Sequence, residues 1–220
     1  MDLAELAGKK EFLEKLLRAS RMTVEKGIET GYIILANSKD IITSSIIPGN
    51  SHSIRFYPDS LDFVAEGLGK GYPVKIELHF HPPERLSFFP KHRFIIPSSG
   101  LDTGDLRWLT SKGNEKLCSA IARTENDNFD VIDILFIKRK NQKIKPRPNY
   151  NNYLQCLINE TSKLESELSL KNYEFSQGNL FVAQRLRNFG FATALLRYRS
   201  GIIVNTKEVE EFIIYTDEGI

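Results

Sequence analysis

Cysteine and tryptophan are scarce in this chain of 220 residues, which holds two cysteines and one tryptophan. Cys118 and Cys156 lie far apart and neither sits in a C-x-x-C spacing. That excludes a zinc site built on paired thiolates and argues against a disulfide framework. No charged-then-apolar leader is seen at the start, so both thiols are expected reduced in a cytoplasmic protein. Long hydrophobic runs are missing too; none reaches the roughly 20 residues that a membrane helix needs. Charge of one sign is also lacking. The formal net charge is +2, which gives no argument for a nucleic-acid partner. The basic stretch Lys138 to Arg147 has no interleaved aromatics, and it reads as a solvated face or a linker. There is no internal repeat. Histidine is rare as well, with four in the chain. Two of these four stand in one short run.

Composition is that of an ordinary folded domain, 41% hydrophobic and 26% charged, and the length suits one large domain or one domain with an appendage. Residues 2–20 have helical apolar spacing, with Leu3, Leu6, Phe12, Leu13, Leu16 and Leu17 recurring on one side. Two β-type runs, 32–36 and 41–47, flank a polar turn and predict a hairpin. A helix is expected over 59–70 and a strand over 73–81. A long segment rich in Pro, Ser and Gly fills 82–104, a length that favours a functional role. A short helix is expected over 103–112, with strands over 116–124 and 130–139. Helices are expected over 150–172 and around 179–199, then a β-type run at 201–205. The pattern predicts an α/β domain over residues 1–140, a mixed sheet flanked by helices, and a mostly helical extension over 141–220.

The chemistry concentrates in Ile76-Glu77-Leu78-His79-Phe80-His81-Pro82. Side chains alternate along a strand, so His79 and His81 share one face, and Glu77 shares it with them. Two imidazoles so placed can hold one metal ion, and imidazole suits zinc. Pro82 ends the strand and opens a loop. A catalytic zinc usually has three protein ligands and one position for water. The segment 97–106 offers the third. Ser99 and Asp102 form an S-x-x-D pair, in which serine can cap a helix and aspartate project from its first turn. Asp105 repeats the spacing after Asp102 and is a rival ligand. His52 and His92 read as surface residues. Glu77 is open to three roles: a base, a partner orienting an imidazole, or a solvated strand charge.

Three separated elements of this sequence together resemble the JAMM (MPN-type) zinc metalloproteases. His79-Phe80-His81-Pro82 matches their H-x-H-P, Ser99-Gly100-Leu101-Asp102 their S-x-x-D, and Glu29-Thr30-Gly31 the E-T-G segment of the prokaryotic branch. The resemblance covers residues from about 20 to 140, in the family's order. It implies a JAMM-like, cytidine-deaminase-like sheet flanked by helices. It implies Zn2+ held by His79, His81 and Asp102, with Glu29 as general base and Ser99 as donor to the oxyanion. It also implies hydrolysis of a peptide or isopeptide bond beside a ubiquitin-like or sulfur-carrier protein tail. The chain departs from the pattern in three places. The stretch from His81 to Asp102 is longer, Tyr32 stands where the family has its second glycine, and Leu78 replaces the usual aromatic before the first histidine. A non-catalytic MPN-type interaction module is the alternative. A nucleobase deaminase lacks the H-x-E and P-C-x-x-C pieces it would need.

Overall fold

The apolar spacing at the start of the chain makes helix twice rather than once. Helix α1 (Leu3–Ala7) and helix α2 (Lys10–Lys26) are separated at Gly8-Lys9. Asp2 and Glu5 close a reciprocal capping box on α1, each side chain accepting from the other's backbone N–H at 2.8 Å. The coordinates are a computed structural model that describes residues 1–51, 53–58, 60–82, 118–125, 128–139, 183–184, 186–187, 190–204, 212 and 214.

The chain is mixed α/β. Its strands are β1 (Thr30–Ala36), β2 (Ile41–Thr43), β3 (Ile47–Pro48), β4 (Val74–His81), β5 (Cys118–Glu125), β6 (Asn128–Arg139), β7 (Phe191–Arg199) and β8 (Ile202–Val204), with helix α3 (Leu61–Gly69) between β3 and β4. One sheet joins them in the order β2-β1-β4-β5-β6-β7-β8, and β3 pairs the start of β1. The β4–β5 pair is parallel and the other pairs are antiparallel. The predicted hairpin is present as β1–β2, but the run 41–47 is split, its two ends pairing different parts of β1.

The expected helix around 179–199 is corrected in its second half: residues 183–184 and 186–187 are helical, but Phe191–Arg199 is a strand that pairs nine residues of β6 in unbroken antiparallel register. Its Ala, Leu and Arg residues are good helix formers. A long ladder on a buried sheet outweighs that local preference, because propensity is worth only tenths of a kcal/mol per residue, up to ~0.7. The tail also belongs to the main body. Leu3 N–H donates to the Phe212 carbonyl at 3.0 Å and Ile214 N–H to the Met1 carbonyl at 3.1 Å. Phe212 and Ile214 are buried in the same core as α1. Residues 191–204 therefore extend the sheet instead of forming part of a helical appendage. The helices expected at 103–112 and 150–172, and the boundary near residue 140, lie outside the described residues.

Strand alternation sorts the sheet into two faces. Tyr32, Ile34, Ala36, Val74, Ile76, Leu78 and Phe80 pack with Phe12, Leu16 and Ala19 of α2, and the same layer continues through Ala120, Ala122, Ile132, Ile134 and Phe136 into Ala194, Leu196 and Tyr198. Each large apolar side chain buried there contributes about 1.5–3 kcal/mol. The opposite face carries Lys75, Glu77, His79 and His81 of β4. Buried Ile33 and Leu35 share that face, with Gly67 of α3 against Leu35.

Candidate metal centre

Strand β4 places both histidines at its C-terminal end, as alternation requires. His79 is 6% exposed and His81 is half-buried. Their Nε2 atoms are 3.0 Å apart and their ring centroids 4.9 Å. Without a metal, one neutral imidazole can donate its Nε2–H to the other across this distance. The same distance fits chelation: two nitrogens at ~2.0–2.1 Å from a tetrahedral zinc lie about 3.3 Å apart.

Glu29 stands one residue before the neighbouring strand, β1. The β1–β4 register pairs Gly31 with His79 and Thr30 with Phe80. Glu29 is therefore one residue beyond the Thr30–Phe80 pair. The Glu29 backbone is held on its other side. Its N–H donates to the Asn50 carbonyl at 2.6 Å, and its carbonyl accepts from Gly49 N–H at 2.8 Å. Gly49 is needed for the close turn of its own loop, since a Cβ there would lie 2.2 Å from the Ser53 carbonyl oxygen. The Glu29 carboxylate is 5% exposed, so its position is set by the fold and not by solvent.

Gly31 fits the same logic. A Cβ at Gly31 would come within 2.7 Å of the Leu78 carbonyl oxygen, 2.8 Å of Ile54 Cδ1 and 2.9 Å of Phe56 Cζ. The loop after β3 thus packs directly over the residue opposite His79. Tyr32, which replaces a glycine of the resembled motif, points the other way. Its ring lies fully buried in the helix-side core, so it does not crowd the histidine face. Burial pushes its hydroxyl well above the ordinary phenol range. Next to it in the chain, Thr30 Oγ1 is 2.5 Å from Thr23 Oγ1 and donates to the Ala19 carbonyl at 3.1 Å, fastening β1 to α2.

Sequence reasoning did not find two residues of this region, Tyr57 and Lys75. Lys75 Nζ lies 3.0 Å from Glu77 Oε1 and donates to Tyr57 Oη at 2.6 Å, and Tyr57 Oη donates to Glu77 Oε1 at 3.4 Å. Glu77 is 2% exposed, so it is a buried carboxylate in an ion pair and not a solvated strand charge. Burial alone lowers the Lys75 ammonium, but the Glu77 charge and the hydrogen bonds with Tyr57 and Glu77 offset it, and the group ends above its ordinary value. Lys75 was findable, since it alternates with Glu77 on one strand face. Tyr57 was not, because only tertiary folding brings its loop to β4.

Further along this face, Asp133 of β6 is fully buried, with Arg199 Nη2 at 2.6 Å and Arg197 Nε at 3.8 Å. Among the described residues, no group of three or more His, Cys, Asp or Glu side chains could hold a metal. Glu29 and Glu77 therefore do not complete the coordination of the two histidines. Ser99, Asp102 and its rival Asp105 lie outside the described residues, as do His52 and His92. No described helix is long and apolar enough to cross a membrane. Compared with known proteins, the chain matches no protein-family model, no curated protein and no solved structure.

Proposed function

We propose that this chain is a zinc-dependent peptidase or isopeptidase of the JAMM type. The observation that carries the reading is the pair of Nε2 atoms 3.0 Å apart at the end of β4, with buried Glu29 one residue before the Thr30–Phe80 pair that joins β1 to β4. His79 and His81 would hold the zinc, and Asp102 or Asp105 would complete the set. Bound there, zinc supplies a water acidified to a pKa of roughly 7 and a polarised scissile carbonyl. Glu29 would take the water's proton and return it to the leaving amine. Its burial favours that exchange, because a fixed carboxylate in low dielectric needs no reorganisation. Ser99 would donate to the oxyanion. The resemblance in the sequence suggests a substrate bond beside a ubiquitin-like or sulfur-carrier tail.

Metal analysis of the purified full chain tests the first step. About one zinc per chain is expected, and none in His79→Ala. Glu29→Gln is expected to keep zinc and to lose roughly 10²–10⁴-fold in hydrolysis of peptides and isopeptide-linked ubiquitin-like conjugates. Protein that takes up no zinc would sink the enzyme reading. Zinc without Glu29-dependent cleavage would leave the interaction module.

A further inference from the structure

We infer that Glu77 is a positioning residue for the histidine pair and not a base, acting through a clamp with Lys75 and Tyr57; this rests on the zinc reading above. The three groups close a triangle, with separations of 3.0 Å for Lys75–Glu77, 2.6 Å for Lys75–Tyr57 and 3.4 Å for Tyr57–Glu77. The Lys75 ammonium also lies 5.1 Å from the Tyr57 ring centroid. Two corners stand on β4, and the third stands on the loop after β3. The triangle therefore ties that loop to the histidine strand.

The tie matters because of what the loop covers. Ile54 and Phe56 close over Gly31, whose strand partner is His79. Ser60 Oγ donates to the Phe56 carbonyl and fastens the far end of the loop to the start of α3. The clamp thus holds one apolar wall over Gly31, the strand partner of His79, and keeps β1 seated against β4. A carboxylate engaged by an ammonium and a phenol is poorly placed to take a proton from a metal-bound water. Breaking the triangle leaves Lys75 a half-buried charge without its counter-ion, and the loop loses its anchor.

The test uses zinc alone as the probe. Zinc affinity of the full chain is measured by competition with a chromophoric chelator for wild type, Tyr57→Phe, Glu77→Gln and the double variant. The clamp predicts affinity roughly 10–100-fold weaker for Glu77→Gln, the usual effect of losing a group that supports a ligand. A smaller loss is expected for Tyr57→Phe, and the double variant is expected to be no worse than Glu77→Gln. The absorption bands of Co2+-loaded protein should shift with the same variants. Phe136→Ala, destabilised on the other face of the sheet, is expected to keep wild-type zinc affinity, which separates positioning from general loss of stability. Unchanged affinity in Tyr57→Phe and Glu77→Gln, with or without a lower Tm, overturns the clamp while leaving the zinc reading intact. A wild-type protein that binds no zinc overturns both.

Discussion

The two faces of the sheet solve opposite problems with the same strands. The helix side, from Tyr32 and Phe80 across to Phe136 and Tyr198, is an apolar layer whose buried polar members are hydroxyls such as Ser20, Thr23 and Thr30. The other side contains Glu77, His79 and Asp133, all nearly or fully buried. Burying charge costs several kcal/mol per ion unless it is paired, and the structure supplies pairs, Lys75 for Glu77 and Arg199 for Asp133. The comparison teaches where stability and chemistry are kept. One face is a dense apolar layer, and the other holds the buried ionisable groups.

The largest expected effect lies on the inert face. Phe136→Ala should lower unfolding free energy by about 3–5 kcal/mol, as cavity formation does. Chemical denaturation would show it, and zinc stoichiometry of the folded fraction should not change. A loss of zinc with Phe136→Ala would break the division between the faces. Next comes Gly31→Ala, where the added methyl meets the Leu78 carbonyl, Ile54 and Phe56. Overpacking there should cost about 1–3 kcal/mol and also weaken zinc binding, since the displaced groups sit beside His79. Equal zinc affinity in Gly31→Ala would mean that the loop and the histidines are not coupled.

The smallest effect is a pH dependence. The Lys75 ammonium is held above its ordinary 10.5 in the folded state. Its stabilising contribution is complete below that value and is lost as pH rises through the raised one. Thermal melts from pH 9 to 12 should therefore show wild type losing stability more steeply at the alkaline end than Lys75→Met. Parallel curves would show that the ion pair contributes nothing on this face.

Much of this was readable in the residues. The histidine strand, the β1–β2 hairpin, α3 and the β5–β6 pair all follow from periodicity with turn residues between. Both histidines sharing a face is a direct consequence of alternation. Strand β7 was misread for a physical reason: it is buried on both faces, so its apolar residues do not alternate cleanly, and Ala and Leu suit a helix equally well.

The relation of Glu29 to the histidines belongs to another level. Local sequence could put His79 and His81 together, since two residues on one strand need no partner to share a face. It could not say that β1 runs antiparallel beside β4 with Gly31 opposite His79, because register is decided by which buried face and which turns satisfy the whole sheet. Nor could it bring Tyr57 to Glu77 across a loop. Short-range geometry sets the histidine pair; long-range packing sets what surrounds it, since contacts between distant segments exist only once the core has closed around them.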